Sequence, residues 1–233
     1  MSEAPWYSYG DQLWQATQQT IYMVFWTFAI GGVLGVALGI FLYLTSPGST
    51  FVNRLLDRRL RHAVIVVNQV VGFVVNVLRS LPFIVLLIAI IPLTRLVTGT
   101  TLGPTAALVP LTLSIFPFFG RVVANALDEI DRGRIDAVEA MGVSIPQLIF
   151  RVLLPEARSG LIAGSTLTLI SIIGNTAVAS IIGSGGLGDF AIKYGYQRYN
   201  DALMYATVAV LIVMVQFVQV GGDLWLRKRA HRR

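Results

Sequence analysis

Residues 20–44 run without one charged side chain, and further apolar stretches follow at 63–97, 106–127, 160–182 and 201–226. About 20 apolar residues in a helix cross the ~30 Å hydrocarbon core of a bilayer. A chain that repeats this pattern is an all-α integral membrane protein, and the expected spans are Thr20–Leu44, Ala63–Val97, Ala106–Leu127, Gly160–Ile182 and Asp201–Leu226. The composition agrees. Hydrophobic residues make up 55% of 233, charged residues only 13%, and the mean hydropathy is +0.71. Ordinary soluble domains carry roughly 25% charged residues.

The long stretch Ala63–Val97 decides the topology. It is interrupted by Asn76, Arg79, Ser80 and Pro82. As one kinked helix it would be about 50 Å long, tolerable if tilted or protruding. Split into two crossings, it would invert everything downstream. The distribution of basic residues arbitrates, because cytoplasmic loops carry the excess of Lys and Arg. With one crossing and the N-terminus outside, the cytoplasmic side holds Arg54, Arg58, Arg59, Arg61, Arg121, Arg132, Arg134, Arg151, Arg158 and the tail from Arg227 to Arg233. Only Arg95, Lys193 and Arg198 then lie outside. Five spans are therefore expected, N-terminus out and C-terminus in, multi-pass in a bacterial inner membrane. Residues 1–19 are expected as an extracytoplasmic segment, 20–226 as the membrane domain, and 227–233 as a basic cytoplasmic tail held by anionic membrane lipid. Residues 1–19 hold no Lys or Arg, so no signal peptide is expected.

Several chemistries are excluded or disfavoured. Cysteine is absent, which removes disulfides and thiolate chemistry. Two histidines, His62 and His231, both at the cytoplasmic boundary, suit neither a zinc site nor a serine-protease triad. No G-x-x-x-x-G precedes Lys193 or Lys228, so no P-loop is present. The run Gly183–Gly188 fits G-x-G-x-x-G, but it follows a membrane helix and no strand, and reads as a flexible outer loop. Asp189 beside it falls in an outer loop, where the facing, proton-sharing carboxylate pair of an intramembrane protease is not expected. No catalytic residue, metal site or cofactor is expected in this chain, and the basic tail is too short to suggest nucleic acid.

One charged segment of about residues 130–157 is stranded between the apolar runs. Ile135–Met141 is rich in helix formers, and Gly142 suits the position just past a helix end. Ser144 can cap a second helix, with Gln147 three residues on and Pro146 tolerated in the first turn; that helix is expected to stop near Pro155. Neither helix is long enough to hold its shape alone in water. Ala137, Ala140, Met141, Leu148 and Ile149 offer the apolar surface that would pack either on the chain's own membrane ends or in a partner's groove. The pattern Asp136-Ala137-Val138, Gly142 after three residues, and Val152-x-Leu154-Pro155 after nine more resembles the cytoplasmic "EAA" coupling loop of ABC-importer permeases. Asp replaces the usual Glu and Val the second Ala, with the spacing intact.

The likeness extends over most of the chain from about residue 20. Arg79-Ser80-Leu81-Pro82-Phe83, Pro92-Leu93-Thr94-Arg95, Val109-Pro110-Leu111-Thr112, Gly185-Gly186-Leu187-Gly188 and Tyr194–Asn200 look like the permeases of methionine ABC importers. That resemblance implies a homodimer of five-helix subunits without an ATPase site of their own. It implies ABC ATPase subunits on the cytoplasmic face, which bind ATP and Mg and dock on a coupling loop of Asp136, Ala137, Glu139, Ala140, Met141, Gly142, Ser144, Pro146, Leu148, Ile149 and Pro155. It further implies an extracytoplasmic binding lipoprotein that delivers methionine. A permease for another amino acid or small solute is the alternative, and a membrane-embedded enzyme or a passive channel the contrasting class.

For the pathway itself the residues say less. The fourth span carries Thr168, Ser171 and Asn175 on one face, with Thr176 and Ser180 beside it. Ser171, Asn175 and Thr176 are the candidate wall; the same face could equally hydrogen-bond neighbouring helices. Arg79 is the costliest residue inside a span. It is read as a structural partner for a carboxylate or backbone carbonyl, with a functional role as the alternative.

Overall fold

The computed structural model describes residues 9–49, 52 and 57–230. The first eight residues, Arg54, His231, Arg232 and Arg233 lie outside the described residues, as do the side chains of Glu139, Lys228 and Arg229. Helices α1 (Gly10–Leu44), α2 (Arg58–Ser80), α3 (Phe83–Ala89), α4 (Ile91–Thr98) and α5 (Pro104–Asp128) form the first half. The charged segment between the apolar runs, here called the knob, follows with α6 (Arg132–Ala140), α7 (Ile145–Gln147), a π-helical turn Leu148–Leu153 and α8 (Leu154–Glu156). Helix α9 (Arg158–Ala179), a 3-10 turn Ser180–Ile182, α10 (Gly186–Phe190), a second π-helical turn Ala191–Tyr196 and α11 (Asp201–Ala230) complete the chain. Among the described residues five helical segments are long and apolar enough to span a membrane: α1, α2, α5, Arg158–Ile182 and Asp201–Arg227.

Helix α1 packs along most of its length on α5, and Gly31, Gly35 and Gly39, four residues apart on one face, lie at that seam. A Cβ on Gly39 would stand 2.5 Å from the Val123 Cβ and 2.6 Å from the Gly120 carbonyl oxygen. No side chain fits there, so the two backbones are as near as membrane helices come.

Three expectations need correction. Helix α1 starts at Gly10, ten residues before the apolar run, so the helix is longer than the span read from hydropathy. Ala63–Val97 is not one kinked helix. It breaks at Leu81 (φ −77°, ψ 128°) because Pro82 pushes the residue before it out of the helical region. The chain resumes as α3 and α4, of 7 and 8 residues. Each is only about 10–12 Å long, so the stretch still makes a single crossing and the five-span count stands.

The third correction concerns Gly183–Gly188. Rather than a flexible loop, it opens α10, whose Leu187 is wholly buried with Phe190 against Ala16 and Leu203. Two side chains of α1 cap it. The backbone N–H of Gly186 donates to Gln19 Oε1 (2.8 Å) and that of Leu187 to Thr20 Oγ1 (2.9 Å).

Candidate coupling knob and membrane cavity

The knob is mounted, not hung. Ile135, Leu148, Leu153 and Ala157 are buried in one cluster with Val123 and Leu127 of α5. The Arg134 guanidinium pairs with Glu156, joining α6 to α8 across the fold. Gly142 adopts φ +74°, the left-handed geometry expected where α6 ends. Gln147 Oε1 accepts from the Ser144 N–H at 3.0 Å, forming the return arm of a capping box at the start of α7. These contacts fix the angle between the two arms.

The apolar residues divide by direction. Leu148 points into the foot of the knob and Ile149 packs partly against it. Ala137, Ala140, Met141 and Pro146 are exposed, Met141 at 80%. Asp136 is also on the exposed side, as is Ser144. Phe150, 68% exposed, joins this surface and was missed. Its signal is the wider π-helical turn, which no sequence period announces. Pro155 does not end the second helix. It sits in the first turn of α8, and the chain continues through Ala157 into α9. A proline leaves the carbonyl four residues earlier without its partner. That carbonyl belongs to Arg151, inside the π-helical turn, where the bonding register has already shifted.

The face of α9 splits as well. Thr168 and Thr176 are buried, their hydroxyls donating to the carbonyls of Gly164 and Ile173 at 2.7 Å. Ser171 and Asn175 instead open into a cavity of about 320 Å³, with Ser114 and Phe118 from α5 and Arg79 from the end of α2. Thr176 is thus turned into protein, away from the two residues expected beside it. Arg79 has none of the expected carboxylate partners among the described residues. Its guanidinium carbon lies 5.8 Å from the centre of the Phe118 ring. Leu81 and Phe83, flanking the broken backbone at Pro82, complete that side of the cavity. Ser114 was missed because a single hydroxyl in an apolar helix carries no pattern.

The structure thus holds an exposed knob anchored on α5 and a polar cavity lined by α2, α5 and α9. Residues 64–227 match the family model for the binding-protein-dependent transport system inner membrane component. This chain belongs to that family. The probable D-methionine transport system permease protein MetI of Vibrio cholerae is 43% identical over 98% of this chain and 97% of its own length. The methionine import system permease protein MetP of Bacillus subtilis is 41% identical, covering 91% of each. Among solved structures, inward-facing conformations of the MetNI methionine ABC transporter superpose with a TM-score of 0.87 at 38% identity, over 98% of this chain and 99% of that one. The structure of an amino acid ABC transporter with histidines, 18% identical with a TM-score of 0.72, shares the fold. The chain is therefore a multi-pass inner membrane component of a transport system.

Proposed function

We propose that this chain is the permease subunit of an ATP-driven methionine importer. Methionine arrives from an extracytoplasmic binding lipoprotein, and two copies of the chain form the gate. Separate ATPase subunits, which bind ATP and Mg, dock on the knob. The observation that carries this reading is the knob's two-sided construction. Its inner side is clamped to α5 by Ile135, Leu148 and Leu153, while Ala137, Ala140, Met141 and Phe150 face outward. Helix α5 carries Leu127 at the knob and Ser114 in the cavity wall, about 20 Å apart along one continuous helix with Pro117 between them. A push on the knob reaches the cavity through that helix. The names of the relatives support methionine as the cargo. The little-buried α2 and α11 leave apolar surface for a second copy and for lipid.

The test is uptake of labelled methionine by proteoliposomes holding the permease, its ATPase and its binding protein. Uptake should require ATP and be competed by unlabelled methionine but not by other amino acids. Uphill uptake by the permease alone, or uptake of a different amino acid in preference, would end the proposal.

The arginine distribution supports an N-terminus outside and the knob in the cytoplasm. Gly133→Cys and Ser49→Cys should then resist impermeant thiol reagents in intact cells and react after permeabilisation. Labelling of Gly133→Cys in sealed cells would reverse the orientation.

A further inference from the structure

We infer that Arg79, with Ser114, Ser171 and Asn175, forms a transient binding site for the α-carboxylate of an apolar amino acid, halfway along the translocation path. This rests on the proposed import function and adds to it a place and a recognition chemistry inside the membrane.

Depth comes first. Ser114 and Phe118 lie near the middle of α5 (Pro104–Asp128), and Ser171 near the middle of the span Arg158–Ile182. The cavity they share with Arg79 is consequently near the bilayer midplane, and the other end of α2, with Arg58, Arg59 and Arg61, projects beyond it. A guanidinium at that depth costs about 2.5–3.5 kcal/mol even by the mildest measure, so such residues face protein cavities and serve function. The Phe118 ring offsets part of that cost through its π face. Among the described residues no carboxylate and no hydroxyl takes up the five donors of the fork.

The backbone gives an independent sign. Irregular backbone at membrane depth survives only where it is buried in protein or lines a wet cavity. The non-helical residues Leu81 and Pro82 interrupt the crossing beside Arg79, and Leu81 lines this cavity. Broken helices at mid-membrane substrate sites are a recurring device in transporters.

The remaining walls select the ligand. A planar fork matches a carboxylate with two parallel hydrogen bonds. Ser114, Ser171 and Asn175 offer oxygen acceptors for an ammonium group, and no acid is present to hold it tightly. Leu78, Leu81, Phe83 and Ile115 leave only apolar contact for a side chain. The cavity of about 320 Å³ is at the small end of ligand sites, which run from about 300 to 1,000 Å³. One charged contact and neutral surroundings make for brief residence, which a conduit needs.

The experiment uses a diazirine analogue of methionine with the complete reconstituted complex, reading labelled peptides of the permease. Labelling should fall in the segments 78–83, 114–118 and 171–175. Excess methionine should compete it and methionine amide, which lacks the carboxylate, should not. Arg79→Gln should reduce it at least about tenfold, the loss expected for a charged hydrogen-bonded pair, and Arg79→Lys should restore part of it. Asn175→Asp, which places a rival carboxylate in the cavity, should reduce it too, with folding followed by elution of the intact complex. Labelling indifferent to Arg79→Gln, or equal competition by the amide, would overturn the inference; so would wild-type labelling confined to other segments. If a diazirine leucine labels these segments with the same Arg79 dependence while methionine does not, the site stands and methionine as cargo falls.

Discussion

Replacing Gly142 by proline is expected to abolish methionine uptake while leaving the five spans inserted and the chain at normal abundance. Gly142 holds φ +74° at the junction of the two arms of the knob. Proline is locked near −65° and cannot adopt that backbone, so the native arm angle would be lost. The fault is local, because no neighbouring atom lies within 4 Å of a Cβ at this site. A graded series isolates the cause. Gly142→Ala fits sterically but strains the left-handed backbone by about 1–2 kcal/mol and should retain partial uptake; Gly142→Asn, better tolerated in that region, should retain more. Ala140→Glu attacks the same junction differently. It puts a carboxylate on the exposed apolar tip beside Met141, where burial in a partner groove would leave the charge unpaired. Uptake and complex assembly, read side by side, separate the two faults. Uptake by Gly142→Pro at the normal rate would remove the rigid knob from the mechanism.

What could be read from the amino acids alone follows the distinction between solvent and partner. Span number, the single crossing through Ala63–Val97 and the two arms around Gly142 depend on lipid and on local backbone chemistry, and both leave marks in sequence. The departures depend on neighbours. Asp11, Gln12, Gln15, Gln18 and Gln19 end the hydropathy signal of the first span, yet the helix runs through them. It does so because Gln19 and Thr20 are committed to capping α10, more than 160 residues away along the chain. The glycine-rich start of α10 looks flexible for the same reason, since its order is supplied by α1. Pro155 misleads because a π-helical turn ahead of it absorbs the lost bond. The candidate wall was half legible: helical spacing put Ser171 and Asn175 on one face, but only packing tells that Thr176 bonds its own helix. Arg79 stood out as costly, and only the fold reveals a cavity in place of an acidic partner.

The knob and the cavity are joined through α5, which is packed along α1, and the seam between those helices is where a single atom group has the largest consequence. Gly39→Val should destroy the permease rather than merely slow it. The added Cβ alone would fall 2.5 Å from the Val123 Cβ, 2.6 Å from its Cγ1 and 2.6 Å from the Gly120 carbonyl oxygen. Two of those atoms belong to a wholly buried side chain and the third to backbone, so no flexible end can swing aside. Gly120 offers no relief either, because a Cβ there would itself lie 2.7 Å from Leu38, the neighbour of Gly39 on α1. Relief requires the helices to separate, and separation empties the cluster of Phe119, Val123 and Leu127 that also holds the foot of the knob. Overpacking of a tight core ordinarily costs about 1–3 kcal/mol; here, with backbone in the way, more than about 4 kcal/mol is expected. The variant should insert yet lose its folded state in mild detergent, seen as aggregation on size-exclusion chromatography and a collapse of the thermal transition. Gly32→Ala, on the same helix with no atom within 4 Å of its Cβ, should be indistinguishable from the parent. Equal thermal stability of Gly39→Val and Gly32→Ala would mean that the α1–α5 seam yields under load, and a yielding seam could not carry the knob's displacement to Arg79.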